Sequence, residues 1–251
     1  MFTNSKIQVN HVNFLMILKC TMLVNKTTQK TLEQIIKSRR SIRNFTNEVP
    51  PIEDVEKIVE SALYAPFGGA TGMPLQEIRK IFVFTQHTEK MNVARDLLLA
   101  QIKKNSKKIN RLLIIFPFLR KKMNPFANRL NSISKNGIPA LNEAAYYIIV
   151  AEKKGFPPVE KQSIAHALQN MWLTATDKGL GFQLISATGT MSKNKPFLQL
   201  IGLTPGEYVI DGCAIGFAKK YPNTIREIDL AKSVKWIMDE YPSIVIEQAI
   251  K

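Results

Sequence analysis

Three guanidiniums and one hydroxyl fall within five positions, at Arg39, Arg40, Ser41, Ile42 and Arg43. Arginine forks match phosphate oxygens two at a time and the serine adds a donor, so the cluster suits a phosphate monoester. A solvated basic turn has the same composition, and spacing alone leaves both readings open. A second stretch, FGGATGMP at 67–74, carries three glycines in six positions. It can bring its backbone close to a planar ligand, or it is a plain flexible loop. By contrast, His11, His87, His166, Cys20 and Cys213 stand in unrelated contexts without a C-x-x-C pair. Nucleophilic hydrolase, iron–sulfur and zinc chemistries therefore have little support.

The elements that must carry these residues are legible from periodicity. Thr31–Ser38 reads as a helix opened by a Thr31–Gln34 capping box, with Leu32, Ile35 and Ile36 as its inward stripe; its end delivers the arginines. Pro51 suits a first helical position, with Glu53 and Asp54 in the first turn and apolar residues recurring from Ile52 to Leu63 until Pro66. IFVF at 81–84 and YYIIVA at 146–151 read as buried strands, and Glu160–Lys178 as a long helix closed by Gly179. On that helix Ile164, Ala167, Leu168, Met171, Trp172 and Ala175 form a wide apolar stripe, read as core. FQLIS at 182–186 is a strand ending in the small-residue turn ATGT, and YVIDGCAIGFA at 208–218 is a strand containing glycines.

A chain of 251 residues with 45% hydrophobic and 22% charged residues can bury one sizeable core, and a single α/β or α+β domain is the default. The net charge of +15 favours anionic ligands or surfaces. Its distribution is uneven: Leu97–Asn142 holds no acidic residue but ten Lys and Arg, around the apolar block LLIIFPFL. Two readings suit this layout. One is an element lying on an anionic membrane, with Phe116, Phe118 and Leu119 in the lipid boundary. The other is a helical excursion over the active site with a solvated cationic face; Pro117 and Pro125 oppose one long interfacial helix. Nucleic acid is not an expected partner, because no recognised binding motif accompanies the charge. The run VNFLMILKCTMLV at 12–24 is too short and too polar to cross a bilayer and has no signal-cleavage site, and cysteine usage fits a reducing cytoplasm. Residues 1–27 are expected to be an N-terminal extension, disordered or upstream of the natural start.

RRSIR at 39–43, APFGGATGMP at 65–74, AHALQNMWLTATDKGLGFQLISATG at 165–189 and YVIDGCAIGFAKKYP at 208–222 together resemble the nitroreductase family of FMN-dependent oxidoreductases, in order and spacing. The resemblance runs from about Thr31 to Trp236 with a poorly matching middle. It implies an α+β fold, a three-layer α/β/α sandwich whose mixed, mainly antiparallel central sheet is flanked by helices. This would form a single FMN-binding domain over 28–251, with a basic helical insertion at about 103–137. Since the family places its variable insertions there to shape the substrate pocket, the pocket-cover reading of the basic segment is preferred.

By the same resemblance Arg39, Arg40, Ser41 and Arg43 hold the flavin phosphate. Pro66, Phe67, Gly68 and Gly69 approach the ring, through backbone contacts, since Phe67 stands where the family commonly has serine. Leu184, Ile185 and Ser186 border the N5 edge, and Arg226, chosen over Lys219 and Lys220, closes on the phosphate. The absence of a G-x-G-x-x-G fingerprint favours FMN over FAD. The implied function is ping-pong electron transfer from NAD(P)H to a nitroaromatic, quinone or enone. It implies a homodimer with the flavin at the subunit interface and the apolar tail from Ile228 to Ile250 against the partner. Two other classes remain: a flavin-binding or sensing protein without turnover, and a basic membrane-surface binder.

Overall fold

The computed structural model describes residues 30–69, 72–222 and 227–237. Helix α1 (Leu32–Ser38) begins as the capping box requires: Thr31 Oγ1 accepts from the Gln34 amide at 3.3 Å, and Gln34 Oε1 accepts from the Thr31 amide at 2.9 Å. Its expected inward stripe is inward only at Ile35, which is half-buried; Leu32 and Ile36 are exposed and no residue of α1 is fully buried. Helix α2 (Ile52–Leu63) follows with Pro51 one position earlier than expected, as N-cap, and α3 (Leu75–Ile78) is a single turn.

The sheet is built from β1 (Arg79–Thr85), β2 (Tyr146–Lys153), β3 (Gly181–Leu184) and β4 (Tyr208–Gly216), in the order β1-β2-β4-β3 with antiparallel ladders throughout. One parallel bridge, Ser41 to Phe182, adds the mixed character at the outer side of β3. Strand β2 is buried on both faces, as its unbroken YYIIVA run demands. Strand β1 was expected to be buried but lies at an edge with Val83 exposed.

Helices cover both faces of the sheet. On one, α2 and α7 (Glu160–Asp177) pack Val55, Ile58, Ile164, Leu168 and Met171 against Ile148, Val150 and Ile215. On the other, α4 (Glu89–Ile115) and α8 (Lys195–Leu200) pack Met91, Leu98, Phe197 and Leu198 against Tyr147 and Ile149. The three-layer α/β/α expectation therefore holds. The basic segment forms a helical hairpin: α4 runs to Ile115, a 3-10 turn at Pro117–Leu119 reverses the chain, and α5 (Arg120–Asn136) returns. Pro117 marks the break, whereas Pro125 is accommodated inside α5. The hairpin is fastened by Asn131 Oδ1, which accepts from Ser106 Oγ at 2.5 Å and Asn110 Nδ2 at 2.9 Å. A short α6 (Pro139–Glu143) leads into β2, and α9 (Leu230–Ser233) follows β4.

Candidate functional site

The arginine run is laid along the sheet by two buried anchors, Ile42 and Phe45. The Ile42 amide donates to the Phe182 carbonyl at 3.0 Å, and the Thr46 amide to the Phe217 carbonyl at 2.8 Å. Glycine permits this approach: a Cβ on Gly181 would lie 2.9 Å from Ile42 Cγ2, and one on Gly216 3.0 Å from Phe45 Cδ1. With Ile42 turned inward, Ser41 and Arg43 alternate outward and are exposed. The Lys219 amide donates to the Asn44 carbonyl at 3.1 Å, which brings Lys219 and Lys220 beside Arg43. Lys219 Nζ reaches Glu143 at 2.6 Å, and Glu143 also accepts from the Phe45 amide at 3.0 Å. The Lys219 hydrogen bond, chiefly, holds the Glu143 carboxyl below its usual range. Arg226 lies outside the described residues.

Trp172 departs from the core reading. Its ring is half-buried, stacked on Phe182 at 4.8 Å and covered by the Arg39 guanidinium at 4.1 Å, while its Nε1 donates to the Arg40 carbonyl at 3.1 Å. Arg40 turns Nη1 back onto the carbonyls of Lys37 and Arg39, at 2.8 and 2.7 Å, and so closes the end of α1. Arg39, Ser41 and Arg43 thus form the outward cationic face, and Arg40 positions it.

Trp172 also lines a cavity of about 820 Å³ between α7 and the 3-10 segment Ser186–Lys193, together with Leu184, Ser186 and Asp211. Leu184 and Ser186 are exposed to it, while Ile185 is buried and donates its amide to the Gly212 carbonyl at 2.7 Å. Ser41 pairs with Phe182, so Leu184–Ser186 lie two to four residues beyond it, roughly 7–13 Å along an extended chain. Asp211, in the cavity wall, was not singled out from sequence. Burial pushes its carboxyl up to about 6, although the Gly212 amide donates to it at 2.8 Å. An acidic residue inside the apolar strand YVIDGCAIG was the signal that could have found it.

The glycine turn sits elsewhere on the same chain. Gly68 donates its amide to Ser163 Oγ at 2.9 Å in the first turns of α7, nine residues and roughly 13 Å of helix from Trp172. Arg79 is buried under this turn: it pairs with Glu152 at 2.9 Å and donates to the carbonyls of Ala62, Ala65 and Pro66 at 2.7, 2.8 and 3.2 Å. Burial raises the Glu152 carboxyl more strongly than Arg79 lowers it. Phe67 is exposed, and Pro66–Gly69 are not among the residues that line the cavity beside Trp172.

A second cavity, of about 400 Å³, shares Leu184 and Ser186 with the first and continues under the hairpin. Ile102 and Ile109 from α4 and Phe126 and Ile133 from α5 make it apolar, and Lys108 and Arg129 add charge. Among the described residues no group of His, Cys, Asp and Glu could hold a metal ion, and no helix is long and apolar enough to cross a membrane.

Residues 36–218 match the model of the nitroreductase family. Among solved structures, a nitroreductase with bound FMN from Bacteroides fragilis is similar at 19% identity and a TM-score of 0.61, covering 83% of this chain and 100% of the other. A BluB-like flavoprotein from Clostridium difficile gives 18% identity and a TM-score of 0.62 over 83% of this chain and 100% of the other. An FMN and NADPH-dependent nitroreductase from Sphigopyxis sp. strain HMH gives 18% and 0.58 over the same shares. No curated protein matches the chain in sequence.

Proposed function

The chain belongs to the nitroreductase family, and on that footing we propose that it is a homodimeric FMN-dependent oxidoreductase that passes electrons from NAD(P)H to an oxidised acceptor such as a nitroaromatic, quinone or enone. One observation carries the reading. Trp172 lies under the Arg39 guanidinium of the outward cationic run and also lines, with the exposed Leu184 and Ser186, a cavity of about 820 Å³, within the size range of cofactor sites.

FMN, when bound, supplies the two-electron relay between donor and acceptor. Arg39, Ser41 and Arg43 receive its phosphate, with Lys219 and Lys220 beside Arg43. Backbone at Leu184 and Ser186, on either side of Ile185 whose amide is held by the Gly212 carbonyl, orients the ring edge, and Trp172 and Leu184 give that wall its apolar surface. Pro66–Gly69, which line neither cavity of their own chain, are assigned to the site of the second subunit. The acceptor occupies the cavity of about 400 Å³ that opens from Leu184 and Ser186 beneath the hairpin. Its apolar walls suit a planar nitroaromatic or quinone, and Lys108 and Arg129 favour one carrying an anionic substituent.

Acid release of the cofactor from purified protein, with chromatography, should yield FMN; FAD, or no flavin after reconstitution, would defeat the cofactor assignment. Anaerobic NADH or NADPH should then bleach the flavin, and menadione or a nitrobenzoate should restore its colour. A flavin that no nicotinamide reduces would favour the non-catalytic, sensing reading.

A further inference from the structure

The far end of the α4–α5 hairpin is apolar, and none of the described residues covers it. Ile114, Ile115 and Phe118 are 70%, 67% and 77% exposed, and Phe116 packs edge-to-face on Phe118 at 5.9 Å without covering it. Within about one helical turn on either side stand Arg111, Lys121 and Lys122, all exposed. No acidic residue occurs between Leu97 and Asn142 to neutralise them. An apolar cap ringed by cations at the end of a projecting element is the pattern of an interfacial anchor: the apolar groups enter the acyl boundary and the cations meet anionic headgroups. A cluster of this kind on a free surface needs a partner.

We propose that the hairpin end, from Arg111 to Lys122, docks the protein on an anionic lipid surface. The contact is peripheral, since no helix among the described residues can cross a bilayer. Charge separates lipid from the other occupants. Two copies meeting end to end would bring Arg111, Lys121 and Lys122 against their own counterparts, which is repulsive. Nucleic acid would use the cations but leave Ile114, Ile115 and Phe118 in water. The inner half of the hairpin, from Ile102 to Ile109 and from Phe126 to Ile133, walls the smaller cavity. Docking and pocket-covering thus fall to different ends of one element, and the docking proposal does not depend on the flavin assignment.

The test is co-sedimentation of the full chain with phosphatidylcholine vesicles containing either no phosphatidylglycerol or about 30% of it, a fraction that sets up an anionic surface potential. Binding is expected only to the anionic vesicles, and it should weaken as salt rises from about 0.1 to 0.5 M. R111Q/K121Q/K122Q should weaken it by ~100-fold, at about fivefold per charge. I115S/F118S should weaken it by ~10-fold or more through lost apolar contact, with circular dichroism and sedimentation in solution unchanged. In an F118W variant, tryptophan emission should shift to the blue on adding anionic vesicles. Equal binding to neutral vesicles, or anionic binding untouched by I115S/F118S and without the blue shift, would overturn the proposal in favour of diffuse adsorption by the +15 chain. Conversion of a dimer to a monomer by I115S/F118S would reassign the end to a contact between copies. Duplex DNA binding tighter than vesicle binding, and indifferent to the serines, would reassign it to nucleic acid.

Discussion

Trp172 joins two parts of the site that are 132 positions apart in the chain, through the hydrogen bond from its indole to the Arg40 carbonyl. Replacing it with phenylalanine removes that bond and thins the surface under Arg39, so FMN retention should weaken by about 1–2 kcal/mol with little loss of fold. Fluorescence titration of the apoprotein with FMN reads this directly. Asp211 gives a pH test. Its folded carboxyl titrates near 6 because of burial, above the ordinary value of 3.8. Its stabilising contribution is therefore fully present below about pH 4 and lost as pH rises through about 6. Asp211→Asn should consequently gain up to about 2–3 kcal/mol relative to wild type at pH 8 and almost nothing at pH 4, as measured by urea unfolding. At this scale the sequence was legible where chemistry is local: Arg39, Ser41 and Arg43 stand out by type and spacing. It was not legible for Trp172, whose position on the apolar stripe of α7 is that of a core residue. Only the register between α7 and the arginine run reveals the indole edge as a surface group.

Among the elements, the segment from Ile42 to Phe45 is held against β3 and β4 because Gly181 and Gly216 have no side chains there. A valine at 216 would press on Phe45 Cδ1, already 3.0 Å from the position of an added Cβ, and on the Ala145 amide at 3.3 Å. Gly216→Val should therefore lower the melting temperature, read by thermal unfolding followed by circular dichroism, and, by displacing Arg43 with Phe45, reduce the FMN bound per chain, read by the absorbance ratio of flavin to protein against wild type. Most elements could be drawn from periodicity alone, as the capping box at Thr31 and the continuous apolar run of β2 show. The exceptions have physical reasons. Leu32 and Ile36 have the spacing of an inward stripe, but both are exposed, since no described residue covers them. Val83 alternates as a buried strand residue would, but β1 is an edge whose outer side nothing in the described chain covers.

For the whole molecule, the absence of Pro66–Gly69 from the lining of either cavity makes one chain an incomplete site in the proposed reading. Ile228, Leu230, Trp236 and Ile237 are exposed near the end of the described chain, and Tyr64 and Phe67 are exposed at the glycine turn. Sedimentation is expected to show a homodimer; a monomer with full flavin occupancy would contradict the shared site. The family and its layered fold were readable from the order of four short stretches. The sheet order and the two cavities were not, because they depend on pairings between distant segments.

Most direct for the central claim is a titration of the apoprotein with FMN and with riboflavin, which has the same ring but no phosphate, in wild type and in Arg43→Ala. If the Arg39, Ser41 and Arg43 face receives the phosphate, wild type should bind FMN far more tightly than riboflavin. Arg43→Ala should weaken FMN by about 1.5–3 kcal/mol, the worth of a charge-assisted hydrogen bond, and leave riboflavin unchanged. Equal affinity of wild type for the two ligands, or an Arg43→Ala variant that loses both alike, would contradict it.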